Sequence, residues 1–456
     1  MKYLQNVYLK IFCLFICLVA IMLATQTWAC DVAVVSGRVT TDGKPLIWKN
    51  FDNSSSANQQ VAYFPAKKAG PGGYLMVYRF EDGMKLLNNG SAVTPSGGVN
   101  ESGFAIAGTT VYQDYNITVE PLNVNTVLME EALATCTTLA EFESLLKKWP
   151  YSHFGTIISA NFVVIDAKGG AALYECFSGH LNTGLNLIQF RKNDANTGKV
   201  TNQWGWTLKA AQSNFIGFHI MTNYNYYIPW NVGQDRKYRA EAILTELVNE
   251  KRLSYQTVMR EVSKDVIGKQ VQPDLSSETN YSTTYCISRN ATRSAIVVRG
   301  AASGGDPRLV TMWANLGEPS VGVFVPFFPA AKWTSELARM DTYTNGRWYD
   351  NDDSCLINQA ISARETYNNL IYSSNSGDAI WGMYDNYINK VELAKVQQWT
   401  FPIEDTIIDH TEYFLSCLQD NPTLINATNL KNFADYSAYY AYENYTADTF
   451  SWEYEY

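Results

Sequence analysis

Residues 31–40 alternate in the manner of a strand, Asp42-Gly43 supplies a turn, and Leu46-Ile47-Trp48 returns as a second apolar run. This pattern reads as a hairpin and commits this part of the chain to antiparallel sheet. With the turn centred on Asp42-Gly43, Asp52 falls opposite Ala33, about three strand residues or roughly 10 Å along from Cys30. The hairpin carries an acid toward a cysteine.

The residues ahead of the hairpin have a different character. Lys2 and Lys10 are followed by the apolar run 11–24 and then by Thr27-Trp28-Ala29, with small residues at the first and third positions before Cys30. This is the pattern of a cleavable secretory signal peptide over residues 1–29. The apolar run is shorter than the roughly 20 residues a spanning helix needs, so no transmembrane anchor is expected after cleavage. Cleavage after Ala29 would expose Cys30 as the amino terminus. Lipid attachment at Cys30 is a second reading, although Thr27 stands where that signal usually has Leu. A disulfide cysteine is a third.

Composition narrows the function. The formal net charge of −9 argues against nucleic acid as a partner, and removal of residues 1–29 strips two lysines and no acid. Beyond the signal, Cys30, Cys136, Cys176, Cys286, Cys355 and Cys417 are widely spaced, without the close pairs of a zinc site. His153, His180, His219 and His410 are the only histidines, and none stands at metal-ligand spacing from another. A Ser-His-Asp triad or a zinc hydrolase is therefore poorly supported. No metal or other cofactor is expected.

Farther along, Gly98-Val99-Asn100-Glu101-Ser102-Gly103 reads as a turn into a strand over 104–110. Thr138-Leu139-Ala140-Glu141 reads as a capping box opening a helix. A hairpin is predicted over 161–177 around Lys168-Gly169-Gly170, and a strand over 218–222 ending at Asn223. A helix follows over 236–249 with Ala240, Ile243, Leu244 and Leu247 inward, and a second starts near Ser254. Strands are predicted over 284–287, 294–299, 310–313 and 321–325. Strand runs broken by helices favour an α+β layered architecture. Residues 330–456 are rich in Tyr, Asn and Asp and read as a mainly helical C-terminal extension, with helices over 356–372 and 378–398.

In this order, the residues resemble the N-terminal-nucleophile cysteine amidohydrolases, the group of bile-salt hydrolases, penicillin V acylases and acyl-CoA:6-aminopenicillanic acid acyltransferases. The resemblance spans roughly residues 30–329. It rests on Cys30 followed by a hairpin carrying Lys49-Asn50-Phe51-Asp52, on the turn Asn100-Glu101-Ser102-Gly103, on Thr222-Asn223, and on Asp235-Arg236-Lys237-Tyr238-Arg239. Lys49 stands where the family has Arg, Asp235 where it has Ser, and Thr110 where bile-salt hydrolases have an Asn that contributes to the oxyanion site. The resemblance implies a four-layer αββα sandwich with residues 330–456 packed on it.

It also implies a secreted or periplasmic enzyme that cleaves a linear, non-peptide N-acyl amide through a thioester on Cys30. The α-amino group, with an ordinary pKa of about 7.7–8.0, would take the thiol proton. Asp52 would orient it, Asn223 would donate to the oxyanion, and Lys49 would favour the thiolate. Arg236 and Arg239 would bridge the active-site Asp or bind a substrate carboxylate, and Thr110 would contact substrate. The partner is a small acyl-amide. Two alternatives share the sequence: an acyltransferase using the same nucleophile, and a non-catalytic secreted binder of saccharide or peptide suggested by the many Tyr and Trp residues.

Overall fold

A computed structural model describes residues 30–52, 59–66, 70–79, 94–111, 125–152, 158–178, 188–208, 217–229, 233–267, 280–282, 286–289, 291–338, 341–344, 347–350, 372–374 and 386–445. The predicted signal peptide, Cys355, His153, His180 and all but the last residue of the predicted helix over 356–372 lie outside them; that last residue, Tyr372, opens a short strand instead.

The strands run in the order β1 (Cys30–Val35), β2 (Leu46–Asp52), β3 (Gln59–Phe64), β4 (Tyr74–Arg79), β5 (Thr94–Asn100), β6 (Ala105–Thr110), β7 (Ser159–Ile165), β8 (Ala171–Ser178), β9 (Ile188–Asp194), β10 (Val200–Asn202) and β11 (Phe218–Met221), followed by β12 (Asn280–Ser282), β13 (Thr292–Arg299), β14 (Thr311–Leu316) and β15 (Val325–Phe327). Among the described residues two large antiparallel sheets result, with two small ones: β12 pairs with the strand Asn386–Asn389 in a three-stranded sheet, and Asp341–Thr344 pairs with Arg347–Asp350. Of the large sheets, one has six strands in the order β11-β1-β2-β13-β14-β15; the other has eight, from β10 in reverse through to β3 without β1 or β2. Helices α1 (Asn125–Thr135), α2 (Leu139–Ser152), α3 (Gln234–Asn249), α4 (Lys390–Asp420) and α5 (Ala427–Asn444) complete the mixed α/β fold.

Burial explains how these pieces sit. Leu128, Met129, Phe142 and Leu146 of α1 and α2 share a buried cluster with Phe104, Phe162 and Tyr174 of the eight-stranded sheet. A second cluster joins Trp48, Val34 and Val297 of the six-stranded sheet to Val163 and Leu173 of the eight-stranded one. It also takes in Leu244 and Leu247 of α3 and Val396, Ile407 and Ala438 of α4 and α5. Strands β1, β7, β13 and β14 are therefore buried along their whole length, whereas β9 near the rim largely alternates.

The turn predicted over 98–103 is shorter, since 98–100 belong to β5 and the chain turns at 101–103, where Asn100 Oδ1 accepts from the N–H groups of Ser102 and Phe104. The capping box also forms, with Glu141 N–H donating to Thr138 Oγ1 and Thr138 N–H to Glu141 Oε2. The first hairpin differs. Its strands pair Cys30 with Phe51 and Ala33 with Trp48, so Asp52 lies beyond Cys30 rather than opposite Ala33. The connection is a broad loop, not a two-residue turn: Thr40 Oγ1 bridges the carbonyls of Gly37 and Lys44, and the strands begin only at Leu46.

The strand predicted over 321–325 also shifts and starts at Val325. Its backbone groups go to side chains instead of a ladder. Tyr445 donates to Val321 O, Lys264 to Gly322 O, and Phe324 N–H to Glu404. Of the predicted helix over 378–398, residues 378–385 lie outside the described residues, Asn386–Asn389 form a strand instead, and 390–398 are helical as expected, opening α4 with Asn389 as the cap. Of the strand predicted over 284–287, residues 286–287 are not in strand and 284–285 lie outside the described residues.

Candidate active site

Cys30 opens β1 and is buried. Its backbone N–H donates to Asn223 Oδ1 at 2.8 Å. Asn223 sits two residues past β11, which is paired to β1, so the sheet itself brings this side chain back to Cys30. Its Nδ2 donates to Thr110 O at 2.9 Å, at the end of β6 in the other sheet. The segment around it is clamped from the same side. Thr109 Oγ1 and Asn161 Nδ2 both donate to Thr222 O, and Asn161 also reaches Tyr224 O.

Lys49 is on β2, directly opposite Val32, and so shares the face of Cys30 and Phe51. It is buried, donates to Gly108 O at 2.6 Å, and lies 5.1 Å from the Phe51 ring centroid. Gly108 has little room for anything larger: a Cβ there would sit 3.0 Å from Phe162 and 3.1 Å from Met129 Sδ. Cys30, Lys49, Phe51, Thr110, Phe162 and Asn223 line one cavity of about 40 Å³. At roughly 10–15 Å³ per water, that is space for about three waters, or a small polar group such as an amide. A larger cavity of about 850 Å³ lies around Tyr224, Arg191 and Glu241 and contains none of the sequence-predicted site residues.

The opposite face of the same strand ends carries paired charges. Asp31, next to Cys30, is held by Arg236 Nε at 2.9 and 3.2 Å from its two oxygens, and both residues are buried. Arg236 is on the first turn of α3. Gly233 makes its placement possible, with φ of 82° and a Cβ position that would collide with Arg236 Nη2. Asp52 accepts from Thr292 Oγ1 at 2.7 Å and from Arg289 Nε and Nη2 at 2.8 and 2.6 Å.

Burial pushes the Cys30 thiol above its ordinary value; the positive charge of Lys49 opposes it, and a hydrogen bond from the Asp52 backbone also lowers it. Burial pulls Lys49 down, opposed by Cys30 and Asp52. Burial raises Asp31 to about 6 against the pull of Arg236.

Of the residues singled out in the sequence, the structure brings Cys30, Lys49, Thr110 and Asn223 around one cavity. Asp52 and Arg236 lie immediately behind it on the other face. Arg239 does not join them: it pairs with Asp265 at 2.7 Å and is partly exposed. Sequence reasoning missed Asp31, Arg289 and Thr292. Asp31 carried a signal, since an acid inside an otherwise apolar strand must find a partner. Arg289 and Thr292 carried none, because only the three-dimensional register of β13 against β2 sets Thr292 beside Asp52.

No protein-family model matches the chain, and a search of curated proteins gives no match. Among solved structures, two crystal structures of variants of conjugated bile acid hydrolase from Clostridium perfringens are similar to it, each at 13% sequence identity. One alignment covers 72% of this chain and 94% of that chain at a TM-score of 0.35. The other covers 62% and 89% at 0.34.

Proposed function

We propose that this chain is a secreted cysteine amidohydrolase that cleaves a linear, non-peptide N-acyl amide. In this reading residues 1–29 are removed, Cys30 becomes the amino terminus, and its sulfur attacks the amide carbonyl. The C–N bond breaks, the amine leaves with a proton, and water hydrolyses the resulting thioester. The observation that carries the reading is the arrangement around Cys30: its nitrogen is held by Asn223 while its side chain shares a small cavity with a buried lysine.

The other groups have roles consistent with their places. Asn223 uses one Nδ2 hydrogen on Thr110 O, which leaves the second for the oxyanion. Thr110 lines the cavity where the substrate amide would lie. Asp52, fixed by Arg289 and Thr292, holds its backbone against the thiol. Arg236 keeps Asp31 and the start of β1 in register. The two buried clusters support a four-layer αββα sandwich as the frame.

The test uses secreted wild-type and Cys30→Ser protein with N-acyl amino acids, penicillin V and conjugated bile salts, together with the mass of the mature amino terminus. Turnover by the wild type alone, from a chain starting with unmodified Cys30, is the expected result. Equal turnover in both proteins, or a different terminus, sinks the proposal.

A further inference from the structure

The α-amino group is the base that the resemblance supplies, but the cavity holds a second amine. Lys49 lines the same small space as Cys30 and projects from the same face of the hairpin, two residue pairs along the register. Among the described residues it makes no ion pair with a carboxylate; its hydrogen-bond acceptor is Gly108 O. The nearby acids are already engaged, Asp52 with Arg289 and Thr292 and Asp31 with Arg236.

A buried ammonium with one carbonyl and no counter-ion is costly, whereas a neutral amine beside a neutral thiol is not. The shifts run the same way, with burial raising Cys30 and lowering Lys49. Arginine could not play this part, since it stays protonated; lysine can give and take a proton.

Resting on the Cys30 reading, we propose that Cys30 and Lys49 form a thiol–amine dyad in which Lys49, rather than the α-amino group, is the proton carrier of the acylation step. The thiol proton moves to the Lys49 amine as the sulfur forms the C–S bond. The tetrahedral intermediate collapses with loss of the C–N bond, and Lys49 returns the same proton to the leaving amine. Lysine ends neutral and the enzyme holds the thioester, so no outside acid is consumed.

Three measurements test this. The first follows iodoacetamide alkylation of Cys30 against pH by mass spectrometry, which needs no substrate. Lys49→Met alkylates at least about tenfold more slowly than wild type at pH 7 and recovers at high pH, because the thiol has lost its proton acceptor. Wild-type alkylation rates in Lys49→Met at pH 7 overturn the proposal.

The second compares phenoxyacetylglycine, whose amine must be protonated to leave, with 4-nitrophenyl phenoxyacetate, whose phenolate need not. Lys49→Arg loses about 10²-fold or more on the amide, the usual scale of general acid–base catalysis, and far less on the ester. An unchanged amide-to-ester ratio overturns it. The third uses wild-type sequence with Ala29 retained, and so stands even where Lys49 variants do not fold. Blocking the α-nitrogen leaves neutral-pH alkylation within a few-fold of the mature form, and its collapse assigns the base to the α-amine. Failure of the Cys30 reading looks different: Cys30→Ser then keeps turnover on the ester.

Discussion

Asn223 joins the two sheets at the candidate site, and its removal has a magnitude that the geometry supplies. In Asn223→Ala, the Cys30 N–H loses its acceptor at 2.8 Å and Thr110 O loses its donor at 2.9 Å. A buried polar group left without a partner costs about 1–3 kcal/mol. Cys30 is enclosed and takes the full cost, whereas the partly buried Thr110 recovers some of it from water, so the expected loss is about 2–4 kcal/mol. Urea unfolding should show a lower midpoint at unchanged slope.

Asn223→Asp separates the two jobs. It keeps an oxygen for the Cys30 nitrogen but removes both amide hydrogens. Its second oxygen then faces the Thr110 carbonyl, acceptor against acceptor, so its stability should fall at least as far as that of the alanine variant, while kcat falls by about 10²–10³, the effect of deleting one oxyanion donor. Turnover within a few-fold of wild type in Asn223→Asp would show that no N–H from this side chain reaches the oxyanion. An unshifted unfolding midpoint in Asn223→Ala would show that the bridge between Cys30 and Thr110 is not formed in solution.

Other consequences are more local. Glu404 is buried and accepts from Lys264, Arg260 and Phe324 N–H, so Glu404→Ala strands a buried ammonium and should cost about 3–5 kcal/mol in urea unfolding. The paired Glu404→Leu/Lys264→Met variant should lie much closer to wild type, and a double-mutant cycle with no coupling would refute the reasoning. Gly233→Ala forces a side chain into left-handed backbone and against Arg236, so it should destabilise by about 1–3 kcal/mol and slow turnover. A wild-type melting temperature in that variant would count against the placement of Arg236.

Burial lowers His219 from an ordinary 6.5 to about 4. Its contribution to stability is therefore present above pH 6.5 and lost as the pH falls toward 4. Discounted for partial exposure it is about 1–2 kcal/mol. His219→Gln should flatten that part of the stability–pH curve, and an unchanged slope would exclude the residue as its source.

The sequence was most informative where a local rule and a tertiary requirement coincide. The capping box at Thr138 and the turn at Asn100 are local chemistry, and both form where that chemistry places them. The cavity residues Cys30, Lys49, Thr110 and Asn223 were legible as an ordered pattern. The hairpin register was not, because the loop after β1 closes through Thr40 and the Gly37 and Lys44 carbonyls, contacts that composition does not reveal. The start of β15 was also hidden. Residues 321–324 have strand character, but their backbone groups are taken by Lys264, Glu404 and Tyr445, two of which come from the distant C-terminal helices. Arg239 groups with Arg236 through the resemblance at residues 235–239, yet Asp265 captures it.

The hairpin end divides its charges by face. Strand alternation puts Asp31 and Asp52 on one side of β1 and β2, and Cys30, Lys49 and Phe51 on the other. On the acid side each carboxylate has its own guanidinium, Asp31 with Arg236 and Asp52 with Arg289, so the four charges cancel locally. Asp52 and Asp31 still raise the thiol, whereas Lys49 is the cation that lowers it, so the charge state of Lys49 bears directly on whether the sulfur is a thiol or a thiolate. The division by face separates two kinds of variant at this site. Asp31→Asn leaves Arg236 buried without its counter-charge, so its first effect is on folding. A change at Lys49 leaves the acid-side pairs intact and acts on the sulfur directly, so its effect belongs in the alkylation–pH profile of Cys30.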